Sequence, residues 1–305
     1  MAGGGIITTG NHPKAQWPGV KEWFGAKYDE HEEEYSQLFD VIPSSQGWEE
    51  DVLHSGFGLA PVKEQGKSVT YASHAQGYVK RYVPAVVALG YIVTREEIDD
   101  NLYEKVSNQR AESLAFSMRQ TKENIHANIF NRAFNSSYPG GDGKELIASD
   151  HPSKGGDWSN ILDPAADISE QAIEDICIQI MGATDEEGLN ISIMPYCLAV
   201  PRQLWFESNR ILKSTLQNDS ALNALNVLKS TNAIPQGVKI NHYFTDADAF
   251  FIKTNAPNGL KCYMRRNIEF TRDNDFDTEN AKAKATERYI PGWSDPRCLY
   301  ASPGA

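Results

Sequence analysis

The sequence predicts an α+β protein, and three stretches carry that prediction. Thr94 to Asn135 contains neither Pro nor Gly and reads as a single long helix. From Leu53 to Val93 the pattern turns to β, ending in a run, Tyr78 to Val93, in which Val79, Val83, Ala85, Val87, Leu89, Tyr91 and Val93 share one parity. Residues 168 to about 258 then alternate helix and strand signals.

The long helix has a well-specified start. The Thr94 hydroxyl can cap it while Glu97 reaches back to the cap's own N–H, and Glu96, Glu97, Asp99 and Asp100 crowd the first turns, where the helix dipole favours anions. Ile98, Leu102, Val106, Leu114, Met118, Ile125 and Ile129 trace one slowly drifting apolar stripe. At about 1.5 Å per residue the helix would be roughly 60 Å long, against a radius of gyration of about 19 Å for a compact chain of this size. A heptad pattern fails at Arg110, Thr121 and Asn128, so the expectation is a spine crossing a flattened molecule, not a coiled coil.

The β stretch sets a different problem. Limbs at Phe57 to Val62 and Ser68 to Tyr71 flank a turn at Lys63 to Lys67, KEQGK, and the run Tyr78 to Val93 would extend about 50 Å as one strand. Pro84 has no N–H for a ladder, so an edge or a bulge belongs there. A two-stranded ribbon of that reach is not stable alone in water, and a neighbouring copy is expected to cover it.

The remaining elements follow in order. Residues 1–52 read as an arm: Gly-rich at first, then Pro13 and Pro18, then a short amphipathic piece from Tyr28 to Phe39. Residues 135–167 are loop-rich. In the alternating region Ser169 should cap a helix from Glu170 to Ala183. Ile191 to Val200 reads as a strand, Arg202 to Leu216 and Ser220 to Lys229 as helices, and Val238 to His242 and Ala249 to Lys253 as strands. From Gly259 the chain is β again.

Composition and motifs exclude more than they assign. The 305 residues carry a formal charge of −12, with Lys and Arg scattered, so the basic footprint of a nucleic-acid binder is missing. Cys177, Cys197, Cys262 and Cys298 show no metal-ligand spacing and read as buried thiols. The longest greasy run, Val83 to Val93, includes Pro84 and Gly90 and falls short of the roughly 20 residues that span a bilayer, so no membrane association is expected. In HEEEY the position of a second zinc-binding His is Tyr35, and Gly143-Lys144 is followed by Glu145 where a phosphate loop needs Ser or Thr. Asp273, Asp275 and Asp277 begin like a calcium loop, but Thr278 and Lys284 stand where Gly and Glu are required. Asp150 and His151 could form a hydrolytic dyad, though no Ser or Cys lies in a nucleophile-elbow context. No cofactor or metal is expected.

Taken in order, these pieces are a pattern: an arm, a long hairpin, a capped helix entered through GYIVTREEIDD, the loop NRAFNSSYPGGDGKELIASDHP, a subdomain containing LAVPRQLWFESNRILKSTLQNDSALNALNVLKS, and a β return ending in GWSDPRCLYAS. The pattern resembles the major capsid proteins of tailed bacteriophages, the Hong Kong 97-type fold, in the Mu-like major head subgroup. That resemblance implies an extended loop at 53–93, a peripheral domain made of 94–165, with the spine helix 94–135, and 259–305, and an axial domain at 166–258. It implies pentamers and hexamers that enclose double-stranded DNA in the virion, assembled in the host cytoplasm with a portal, a separate scaffolding protein and, in some members, decoration proteins. Axial domains would meet around the symmetry axes and extended loops would lie across adjacent subunits. Contact candidates are Lys63, Glu64 and Lys67 at the loop tip, Arg81 on the ribbon, Arg265 and Arg266 on the return strand, and Trp293 and Arg297 near the end. The alternatives are an encapsulin-like compartment shell and a soluble hydrolase using Asp150 and His151.

Overall fold

The computed structural model describes residues 13–73, 76–99, 103–217, 224–275 and 280–305. The Gly-rich start, Asp100, Leu102, Asp277 and Thr278 fall outside these ranges, as do the side chains of residues 13–20, 98–99 and 103–108.

The arm begins with a helix that its sequence hides. α1, Pro13–Glu30, runs on through Pro18 and Gly19, residues that read as breakers. Tertiary packing supplies what propensity withholds. Phe24 and Tyr28 are buried against Ala111, Leu114 and Ala115, and Phe24 stacks on Phe270 at 4.5 Å. A 3-10 turn, Tyr35–Gln37, then leads into β1, Asp40–Pro43.

The expected single strand Tyr78 to Val93 is two strands. β2, Glu49–His54, pairs antiparallel with β3, Gln76–Tyr82, and β4, Ala85–Val93, belongs to another sheet. The chain changes ladders at Val83–Pro84, where the imide removes a donor. Paired strands therefore occupy 49–54 and 76–82 instead of a hairpin filling 53–93, and 56–73 form no strand.

The spine is described as α2, Arg95–Asp99, and α3, Tyr103–Asn131. The capping box is present: Thr94 Oγ1 accepts from Glu97 N at 3.3 Å, and Thr94 N donates to Glu97 Oε2 at 3.2 Å. Arg110, one of the residues that breaks the heptad pattern, clamps the turn by donating to both Glu97 oxygens, at 2.7 and 3.0 Å, and to Ile92 O at 2.9 Å.

After the 135–167 loop, α4, Glu170–Met181, is capped by Ser169 as expected. β5, Pro195–Pro201, α5, Trp205–Lys213, α6, Val227–Ser230, β6, Val238–Asn241, and β7, Phe250–Thr254, complete the alternating region. β8, Leu260–Asn274, and β9, Ala281–Trp293, form a long hairpin, and β10, Leu299–Ser302, ends the chain.

Two four-stranded sheets result, ordered β1-β8-β9-β4 and β10-β7-β5-β6. β9 alternates from Ala281 to Ile290. Ala281, Ala283, Ala285, Glu287 and Tyr289 are buried, while Lys282 and Lys284 point to solvent. In the second sheet Leu198, Val200, Phe250, Ile252 and Tyr300 pack with α4, α5 and α6, whereas Cys197, Ala199, Phe251 and Ala301 join the core shared with the end of α3 and the first sheet. Buried on both faces, these strands read in sequence as unbroken apolar runs. All four cysteines are buried and unbonded to one another.

Candidate assembly surfaces

Residues 56–73 are exposed without exception, and the large apolar side chains among them face water: Leu59 is 84%, Val62 97% and Tyr71 91% accessible. An isolated subunit gains nothing from that arrangement, and exposed apolar stretches of this kind are characteristic of interaction surfaces. The predicted turn is at its tip. Lys67 N donates to Glu64 O at 3.2 Å, Gly66 takes a φ of +83° that favours glycine, and Lys67 pairs with Glu64 at 2.6 Å. Lys63, Glu64 and Lys67 are all exposed.

The root of the ribbon is polar and rigid. Asp51 accepts from Lys261 Nζ at 2.7 Å, from Tyr263 OH at 2.9 Å and from Ser294 Oγ, and Tyr82 OH shares a 2.6 Å hydrogen bond with Ser294. Burial pushes the Asp51 carboxyl up, but hydrogen bonds from Lys261, Ser294 and Tyr263 outweigh it and hold the group below its ordinary value. Arg81 bonds Glu50 at 2.6 Å and lies over Trp48 at 4.7 Å, an intramolecular anchor that leaves its outer side in solvent. Arg265 and Arg266 stand where the β8–β9 register breaks, both exposed; Arg265 reaches Ser44 O at 3.4 Å and Arg266 pairs loosely with Glu269 at 3.8 Å.

Trp293 and Arg297 are both buried in the single subunit. Trp293 is only 7% exposed, with Lys80 Nζ 5.0 Å above its ring. Arg297 is 3% exposed, donates to Thr184 O at 2.7 Å, pairs with Glu186 at 2.9 Å and Asp295 at 3.4 Å, and lies over Trp158 at 4.6 Å. Both are engaged within the subunit: Arg297 braces its interior, and Trp293 also lines the groove at the foot of the ribbon.

The hydrolytic dyad is also corrected. Asp150 is exposed and bonded to Lys144. His151 is buried, with Nδ1 2.7 Å from Asp142 and Nε2 3.0 Å from Asn160, and its ring stacks on Trp158 at 4.7 Å. With both nitrogens held by Asp142 and Asn160, the imidazole pins the 140–160 loop and has no free nitrogen to act as a base.

At the foot of the ribbon lies a groove of about 700 Å³. Val83, Ile125, Ile129, Ile290, Pro291 and Trp293 give it an apolar floor, and Lys80, Arg81 and Arg132 stand around it with no carboxylate among the lining residues.

Sequence reading missed a layer of buried charge beneath the spine. Arg119, Lys122, Glu123, His126 and Glu287 are each at most 5% exposed. Arg119 pairs with Glu33 at 2.5 Å and stacks on Tyr28 at 3.9 Å, Glu123 accepts the backbone N–H groups of Glu34 and Tyr35 at 3.1 and 3.0 Å, and Lys122 faces Glu287 at 3.4 Å. The Arg119 and Glu123 contacts fasten the arm to α3, and the Lys122–Glu287 pair ties α3 to β9.

A spine helix, two packed sheets and a projecting ribbon with an uncovered apolar loop define a shell subunit of the Hong Kong 97 type. A family model described as phage capsid protein matches residues 78–302, and the chain belongs to that family. Among solved structures, a virus-like particle from Pyrococcus furiosus aligns with a TM-score of 0.54 and 10% identity, over 94% of this chain and 98% of that one. A protein of Mycobacterium phage Adephagia gives the same TM-score, 0.54, and 10% identity, over 90% and 91% of the two chains. No match is found among curated protein sequences.

Proposed function

We propose that this protein is the major head subunit of a tailed bacteriophage, joining identical copies as pentamers and hexamers into an icosahedral shell around double-stranded DNA. The observation that carries the reading is the uncovered 56–73 loop on a ribbon braced at its root, an apolar surface that only another molecule can bury. Within this reading 94–165 and 259–305, with the spine, form the peripheral domain, and 166–258, with α4 to α6 and β5 to β7, form the axial domain that meets its copies around the axes; β10, from the peripheral segment, joins the axial sheet beside β7, and β4, from the extended-loop segment, joins the peripheral sheet beside β9. Lys63, Glu64, Lys67, Arg81, Arg265 and Arg266 serve as subunit contacts. The chain performs no catalysis; a separate scaffolding protein, a portal and decoration proteins are its partners during assembly in the host cytoplasm.

Negative-stain microscopy of the purified protein tests the proposal. Hollow particles, tubes or hexamer rings are expected, and a permanently monomeric chain at high concentration would refute it. Nuclease-sensitive contents separate a phage head from an encapsulin-like compartment, which would hold protein cargo. Deleting Lys63 to Lys67 should leave a folded subunit with an unchanged circular dichroism spectrum and sharply reduced particle yield; full yield would remove the loop from assembly.

A further inference from the structure

The groove at the foot of the ribbon has a matching object elsewhere on the same chain. Its floor, with Ile125, Ile129 and Trp293, is apolar, and its three cations are Lys80, Arg81 and Arg132. Arg81 already has Glu50, but Lys80 and Arg132 have no carboxylate ion partner among the described residues; Lys80 donates to Pro139 O at 3.1 Å and Arg132 lies over the Tyr138 ring at 4.4 Å. The groove therefore suits a ligand segment that brings an apolar anchor and several negative charges.

The β8–β9 hairpin ends in such a segment. Between Asp273 and Asn280 the sequence DNDFDTEN carries four carboxylates, one aromatic residue, Phe276, and no cation. The reversal is closed by Asp275 N donating to Asn280 O at 2.9 Å, and Lys282 neutralises only Asp275, at 2.5 Å. Residues 276–279 lie outside the described residues, and the flanking ladder marks where the chain reverses.

The hairpin cannot fill its own groove. Asn274 pairs with Ala281 at one end of the ladder and Leu260 with Trp293 at the other, and Trp293 lines the groove. About a dozen extended residues separate the two ends, on the order of 40 Å along a stiff ladder. Only a different molecule can bring tip and groove together, and a contact between two unlike patches of one chain repeats from copy to copy.

We propose that the groove lined by Ile125, Ile129, Trp293, Lys80, Arg81 and Arg132 receives the acidic 273–280 hairpin tip of a second copy of this chain. The inference rests on the shell reading above and extends it with a named pair of surfaces. The tip brings one aromatic residue for the apolar floor and carboxylates for the cationic rim. Opposite charge at the rim fixes register and suppresses wrong pairings.

Two charge-reversed proteins test it, Arg132→Glu and the double variant Asp277→Lys/Glu279→Lys. Arg132 is exposed, and each protein should keep the wild-type circular dichroism spectrum and thermal midpoint. Each alone should lose particle yield by about tenfold or more, since like charges then face each other across the contact. An equal mixture should recover yield, because the acidic tip of the first variant meets the basic groove of the second and the reverse pairing also matches. A fluorescently labelled synthetic peptide spanning 272–281 should bind the unassembled wild-type chain and not Arg132→Glu. Undiminished yield from either variant, failure of the mixture to recover, or peptide binding indifferent to Arg132 overturns the inference while leaving the shell reading intact. Arg132-dependent peptide binding by a wild-type chain that never forms particles would support the contact and defeat the shell reading instead.

Discussion

The buried charges under α3 make the sharpest predictions at the scale of single residues. Lys122 and Glu287 are 5% and 0% exposed, and burial raises the Glu287 carboxyl above its ordinary value despite the facing ammonium. Removing one partner strands the other in a dry site, so Lys122→Met should cost about 3 kcal/mol by denaturant titration, and adding Glu287→Leu should return much of it. Glu123 is raised to about 7 by burial, against the hydrogen bonds it accepts from Glu34 and Tyr35, and His126 is lowered to about 4 by burial. The signs oppose. The folded state holds the Glu123 proton over a window where the unfolded chain has lost it, so stability falls as pH rises from about 4.5 to about 7. His126 stays neutral when folded, so its contribution falls as pH drops from about 6.5 to about 4. Glu123→Gln should remove its share of the decline toward pH 7, leaving the share of Glu287, whose carboxyl is also raised, and the His126 slope at lower pH; a decline toward pH 7 as steep as in the wild type would assign the effect to another group. These residues escaped sequence reading for a definable reason. The buried face of α3 passes through Ala111, Leu114, Ala115 and Met118 and then, at the same spacing, through Arg119, Lys122, Glu123 and His126 before Ala127 and Phe130. A search for apolar periodicity stops where the stripe turns polar, and it drifts instead to Ile125 and Ile129, which are only half-buried.

Elements were legible wherever local chemistry decided them. The Thr94 capping box, the Ser169 cap, the β7 run and the KEQGK turn all form where the residue pattern places them. What pattern alone could not supply was partnership. Nothing in Tyr78 to Val93 tells that its first half pairs with β2 and its second with β9, because both halves share parity and only Pro84 marks the change. α1 was invisible for the complementary reason, since its stability comes from Phe24 and Tyr28 packing on α3 and not from its own composition. The spine's entry is tested through Arg110, whose guanidinium ties Glu97 to Ile92 O. Arg110→Ala should lower stability by about 1 kcal/mol, a modest loss because the pair is partly exposed, and should speed amide exchange through 94–99. Unchanged exchange there would mean the clamp is not what holds the turn.

For the molecule as a whole, charge and shape act together. A chain of formal charge −12 with several of its cations held in internal pairs offers few phosphate contacts, and adsorption to DNA scales with their number. Particles should therefore fail to retard duplex DNA even at about 50 mM salt, where phosphate contacts are strongest; a steep salt-dependent affinity would contradict a lining that leaves its contents loose. The family was readable because element order survives where individual residues do not, as 10% identity over nearly the full length of the aligned structures illustrates. The change of ladder at Val83–Pro84 has a last consequence. Because β3 and β4 share a backbone but no common sheet, the projecting limb leaves the body through a two-residue knuckle, held mainly by the bonds around Asp51. Tilting that joint would leave both ladders paired but would have to break the Asp51 bonds to Lys261, Tyr263 and Ser294, so a single carboxylate sets the angle at which the limb meets the body.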